Sequence, residues 1–232
     1  MGCDIHMILE VKPAKATQFE MVGEMERDGD YISPADRYSG RNYNLFAVLA
    51  DVRNGSGFAG CDTGDRIEPI AQPRGVPDDA SPEYQAWVKQ WGVDGHSHSY
   101  HTLAQLLDYD WTLAKVSRGF LDLAAYDRWR GYNEKNGNSP DSYCGDVSGG
   151  KTTKITRDTA DEILDLAPRD YHGRQDWLKD ESRAHIYVQC EWTQPSAKTV
   201  GNEFWYSVLA PLLKLAKEHG PDNVRAIFFF DN

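Results

Sequence analysis

The sequence predicts an α+β domain, and three observations predict it. Segments that alternate apolar and polar residues stand at the start and in the last quarter of the chain, and a run apolar on both faces closes it. Between them lie stretches with apolar residues at helical spacing, most of them opened by a capping residue. Long runs rich in glycine, proline and aspartate separate the two kinds. With 232 residues, no internal repeat and no dividing linker, the expectation is one domain over residues 1–232. It would hold an antiparallel or mixed sheet, helices packed on one side, and long functional loops at one end.

Residues 3–12 set Cys3, Ile5, Met7, Leu9 and Val11 on one face and Asp4, His6, Ile8 and Glu10 on the other, a half-buried strand paired with residues 19–25. Residues 28–40 are polar and turn-rich and read as a loop. Leu45, Phe46, Val48, Leu49 and Val52 follow helical spacing until Asn54-Gly55 stops them. Residues 55–81 read as a long irregular segment. Ser81 then caps a helix with Pro82 at its first position and Tyr84, Trp87, Val88 and Trp91 as its apolar stripe.

Thr102 and Gln105 make a capping-box pair, Asp122 caps a helix through Tyr126 and Trp129, and Thr159 with Glu162 reads as another capping box. Residues 131–150 read as loop. Residues 185–193 alternate again. The last helix spans about residues 203–219, bent at Pro211 and stopped at Gly220-Pro221. Residues 223–230 are apolar on both faces and predict a central strand.

The net charge of -11 and a pI near 5.0 argue against extended nucleic acid as a partner, which needs a basic footprint. No apolar run approaches a membrane span of ~18 residues, and the N-terminal residues lack a signal-peptide pattern. Cys3, Cys61, Cys144 and Cys190 are far apart in sequence and read as reduced thiols of a cytosolic protein.

One motif demands a decision. Residues 145–152, "GDVSGGKT", fit the P-loop pattern G-x-x-x-x-G-K-[ST]. A P-loop needs a buried strand before the glycines and a helix from the lysine onward. Here "NGNSPDSYC" precedes and the β-branched "TTKIT" follows, and only residues 153–232 remain to build a parallel sheet. The motif is therefore read as a surface loop, and the closing "IFFFD" as an ordinary core strand.

Three groups of residues carry candidate chemistry. Asp4 and His6 share a strand face, roughly 7 Å apart at Cα. "DGHSHSYH" places His96, His98 and His101 close together after Asp94. If that loop folded over the first strand, Asp4, His6, His96 and His98 would hold one divalent metal such as Zn or Mn. Arg41, Tyr43, Arg53 and Arg74 flank the glycine-rich run around residues 55–65. Guanidinium forks suit phosphates and rings stack on bases. The plainer readings are an edge histidine, a solvated turn and helix-end arginines.

Several segments together, "MGCDIH", "RNYNLFAVLADVRNG", "GFAGCDTGD", "PRGVP", "DGHSHS" and "FFFDN", resemble a group of bacteriophage-encoded proteins. The resemblance implies a phage protein acting in the cytoplasm of the infected bacterial host. It supplies no activity residue by residue.

Two functions from different classes follow. In the first, Asp4, His6, Arg41, Tyr43, Arg53, Arg74, His96 and His98 bind a small nucleotide-like ligand without a cofactor, sequestering a host immune signal. A homo-oligomer is compatible with this. In the second, a metal-dependent phosphodiesterase, Asp4, His6, His96 and His98 hold the ion and Asp94 or Glu191 moves the proton. A phage structural or interaction protein is the third reading.

Overall fold

The computed structural model describes residues 2–167 and 185–231. It shows the expected α+β class, with antiparallel and mixed sheets. Contacts divide the chain into two compact units: residues 1–54, 67–113 and 196–232 form one, and residues 55–66 and 114–195 the other.

The first unit is built on a five-stranded sheet. Strand β1 (Ile5–Val11) lies antiparallel to β10 (Val224–Phe230), with Ile5 opposite Phe230 and Val11 opposite Val224. On its other edge β1 pairs with β2 (Glu20–Met21) and with β5 (Tyr38–Gly40). Strand β6 (His96–Thr102) takes the far edge of β10. All seven residues of β10 are buried because both of its faces are covered. Cys3, Ile5, Met7, Phe228 and Phe230 pack with helices α1 (Tyr43–Ala50) and α3 (Leu103–Asp108) and with the C-terminal helices. Ile8, Ile227 and Phe229 pack with Tyr84 and Trp87 of α2 (Pro82–Trp91) on the other face. Each fully buried phenylalanine contributes on the order of 2–3 kcal/mol. The expectation of helices on one side thus describes α1, α3 and the C-terminal helices, while α2 adds cover to the second face.

Local chemistry sets the ends of these elements. Asn42 caps α1 by accepting from the Leu45 amide, and Asp51 ends it with φ 58, so the stop falls before the expected Asn54-Gly55. Ser81 caps α2, and the Thr102–Gln105 capping box opens α3 as expected. The C-terminal helix runs from α7 (Asn202–Phe204) through a π-helical turn (Trp205–Leu209) into α8 (Ala210–His219). Pro211 has no amide to donate, and the wider turn just before it absorbs that loss.

Two expected loops are strands. Residues 28–40 contain the end of a hairpin, β3 (Met25–Asp28) with β4 (Tyr31–Pro34), and then β5. Asp28-Gly29-Asp30 turns the hairpin, with Gly29 at φ 59. Its residues are largely exposed, so no apolar alternation marks them. The histidine segment is β6, paired in register with β10 and not folded over β1.

In the second unit, β7 (Ala114–Asp122) pairs antiparallel with β9 (Ile186–Pro195), and β8 (Thr153–Ile155) adds to β9 in parallel. Helices α4 (Leu123–Trp129) and α6 (Arg157–Leu166) supply Tyr126, Trp129, Ala160 and Leu164 to a core with Leu121, Val188, Cys190 and Trp192. Asp122 caps α4 as expected, whereas Thr156 and not Thr159 caps α6. A one-turn helix, α5 (Tyr132–Lys135), interrupts the loop expected over residues 131–150. Directly after the P-loop look-alike the chain enters β8, and Lys151 is exposed. A strand stands where a P-loop needs a helix.

Candidate functional site

The polar residues singled out in the sequence gather mostly at one end of the five-stranded sheet, where β1 begins and β10 ends. Asp231, the residue after β10, joins them. The Asp4 amide donates to Asp231 Oδ1 at 2.8 Å, and the Asp231 amide donates to the Asp4 carbonyl at 3.1 Å. Asp231 Oδ2 lies 3.2 Å from His6 Nε2. A carboxylate has no proton to give, so His6 Nε2 is the donor in this pair.

Arg41 grips Asp4 in a fork, Nε to Oδ1 at 3.0 Å and Nη2 to Oδ2 at 2.9 Å. Both side chains are open to solvent, Arg41 to 53% and Asp4 to 36%. The carboxylate holds the guanidinium above its ordinary pKa. Gly2 lies so close that a Cβ there would sit 2.1 Å from the Arg41 guanidinium carbon, which makes a side chain at that position incompatible with this placement of the fork. Arg53, at φ 54, lies with its guanidinium carbon 5.8 Å from the Tyr43 ring centre, and the Tyr43 hydroxyl accepts from the Cys3 amide at 3.4 Å. Burial pushes the Cys3 thiol up against the opposing pull of the Arg53 guanidinium, so it is an inert buried thiol.

The H-x-H pair is split. Ser97 has φ 51, and the register between β10 and β6 shifts there. This bulge sends His98 against Phe229, with ring centres 5.3 Å apart, and His96 against Phe230 at 6.1 Å. Those two phenylalanines belong to cores on opposite faces. Burial lowers the pKa of His98. His96 Nδ1 pairs with Ser97 Oγ at 3.0 Å.

Among the described residues no group of three or more His, Cys, Asp or Glu side chains is arranged to hold a metal. The geometry explains this: Asp4 is engaged by Arg41, His6 by Asp231, and the bulge parts His96 from His98. Of the carboxylates considered for proton transfer, Asp94 is exposed just before β6 and Glu191 is bonded to Arg118 in the second unit.

Arg74 is not brought to this end. Its Nη1 donates to the Tyr100 carbonyl at 3.1 Å and to Gln105 Oε1 at 3.0 Å, towards the other end of β6. Asp231 is the residue that sequence reasoning passed over, because "IFFFD" was read as core alone. The strand is core; its signal was a carboxylate placed immediately beyond a fully apolar run.

Behind His6 lies an aromatic face. Its ring centre is 4.4 Å from Trp91, 5.0 Å from Phe229 and 5.8 Å from Trp87. The end of the sheet therefore presents a solvent-exposed guanidinium fork and carboxylate, with His6 and Trp91 partly covered beside them and Trp87 and Phe229 buried behind. No family model, no curated protein and no solved structure matches the chain.

Proposed function

We propose that the protein binds a small phosphate-bearing, nucleotide-derived ligand at this end of the sheet. The observation that carries the reading is the juxtaposition of Arg41 and its exposed fork with the His6–Trp91–Phe229 rings, laced together by Asp231. Asp4 already occupies Nε and Nη2 of the fork. A phosphate binds through Nη1 or displaces Asp4, and Arg53 is the second cation within the cluster. Tyr43, His96 and His98 line the same strand ends. Arg74, held along β6, is left out of the site. The resemblance to bacteriophage proteins supports a setting in the infected bacterial cytoplasm, where capture of a nucleotide-derived immune signal would be the use of such a site.

The experiment is a capture assay. Purified protein is incubated with linear and cyclic nucleotides and cyclic ADP-ribose isomers, with and without EDTA, freed of excess ligand and heated. An intact compound released only on heating, in both conditions, is the expected result, and Arg41→Ala should weaken capture about tenfold or more by removing a charge-assisted contact. Cleaved products that vanish with EDTA would replace capture by metal-dependent hydrolysis. No retained compound would end both readings.

A further inference from the structure

Nine side chains among the described residues hold a buried nitrogen or oxygen without a hydrogen-bond partner. Five of them belong to the aromatic face beside the candidate site: His6 Nδ1, Tyr84 Oη, Trp87 Nε1, Trp91 Nε1 and His98 Nδ1. Buried polar atoms in native proteins are almost always paired, and each exception calls for a reason. Such a concentration around one ring, Phe229, does not follow from packing alone. Tyr84 and Trp87 are 0% and 1% exposed, so solvent does not satisfy them.

The chemistry of two of these atoms is defined. An indole Nε1–H only donates, and with Nε2 donating to Asp231, His6 Nδ1 is an acceptor in the tautomer that carries a single ring proton. The rings that carry them are 4.4 Å apart, centre to centre. A neighbouring donor and acceptor is what the hydrogen-bonding edge of a nucleobase presents in complement, whether as a lactam N–H and C=O or as an amino group beside a ring nitrogen. The surrounding rings supply faces on which such a heterocycle stacks.

We infer that this aromatic face is the base-recognition half of the site, taking the heterocycle of the ligand against His6 and Trp91 while its phosphate meets Arg41. The inference rests on the nucleotide reading above and names the part of the ligand that is read. The open side of this face is at Trp91. This residue is only partly buried, it is the last residue of α2, and Gly92, at φ 55, follows it. Beyond it Val93 is fully exposed, whereas Trp87, one turn earlier, is enclosed.

The test compares AMP, GMP, UMP and CMP with ribose 5-phosphate, which has the same phosphate and no base, by titration calorimetry on the full chain. At least one nucleotide should bind about tenfold or more tightly than ribose 5-phosphate. Trp91→Phe, which keeps a ring and removes the donor, should reduce that advantage about tenfold. Tryptophan emission of the wild type should change on binding as the heterocycle packs against the indole.

If nucleotides bind no better than ribose 5-phosphate, or Trp91→Phe leaves the ratio intact, base recognition here is overturned while phosphate binding stands. If none of the compounds binds, the nucleotide reading falls with it. Should Trp91→Phe fail to fold, the ratio measured on the wild type decides.

Discussion

His101 shows how one buried side chain ties stability to pH. Its Nε2 donates to the Leu49 carbonyl at 2.6 Å and its ring lies against Phe228. Burial, aided by the nearby Arg74 charge and opposed by the Leu49 bond, lowers its pKa from 6.5 to about 4. The unfolded chain therefore binds a proton that the folded chain refuses between those two values. Stability from this group is complete above pH 6.5 and is lost as pH falls towards 4, by about 3 kcal/mol. His101→Gln can still donate to Leu49 but does not titrate. Urea denaturation at several pH values should show a shallower loss for the variant across that window; parallel curves would remove His101 as the cause. The same residue illustrates what a sequence hides. Six residues hold three histidines, and nothing in their spacing says that His101 is sealed in the core, His98 half-covered and His96 on the face opposite His98.

At the scale of elements, β1 and α2 are joined to β10 through one buried ion pair. Arg225 Nε donates to Glu10 Oε2 at 2.7 Å, both side chains nearly inaccessible, and the Arg225 guanidinium carbon is 3.6 Å from the centre of the Phe19 ring. Glu10 Oε1 also accepts from the Ser81 amide, the cap of α2. Removing one partner of such a pair leaves a charge with little solvent, at a cost of about 3–5 kcal/mol. Asp79, bonded to Arg225 at 2.8 Å and partly exposed, moderates this. Glu10→Ala should therefore lose about 3 kcal/mol in thermal or chemical denaturation, and a loss below about 1 kcal/mol would show that Asp79 alone compensates the arginine.

Strands were legible where burial alternates with an aliphatic signal. That holds for β1, β9 and the doubly buried β10. It fails for β6, whose seven residues HSHSYHT contain no aliphatic side chain, and for β7, whose inward positions include Lys115, Ser117 and Gly119. Lys115 at such a position is paired in part by a residue distant in sequence, its Nζ donating to the Asp65 carbonyl as well as to that of Val116. Periodicity carries no trace of such partners. The candidate site was half legible for the same reason: Asp4 and His6 share a strand face, but only strand pairing reveals that Asp231 bonds both.

At the scale of the whole molecule, the acidic balance and the proposed anionic ligand pull in opposite directions. The chain carries a net charge of -11, so at a distance it repels a phosphate, while Arg41 and Arg53 attract it at close range. Salt separates the two. At about 0.01 M ionic strength the screening length is about 30 Å and the ligand feels the summed charge; at about 0.15 M it is about 8 Å and only the local cations remain in reach. The association rate of a captured nucleotide should therefore rise, by about twofold or more, as ionic strength increases over that range, the reverse of a site steered by a basic surface. Stopped-flow mixing against tryptophan emission measures it. A rate that falls with salt would mean that the arginine end of the sheet dominates the field at all distances, so that the global charge has no bearing on ligand choice. A rate that rises would also mean that the same repulsion opposes a long nucleic acid more than a small anion. The small ligand carries few charges against the repulsion and can reach both arginines. A duplex extends well past them and meets the acidic surface along its length.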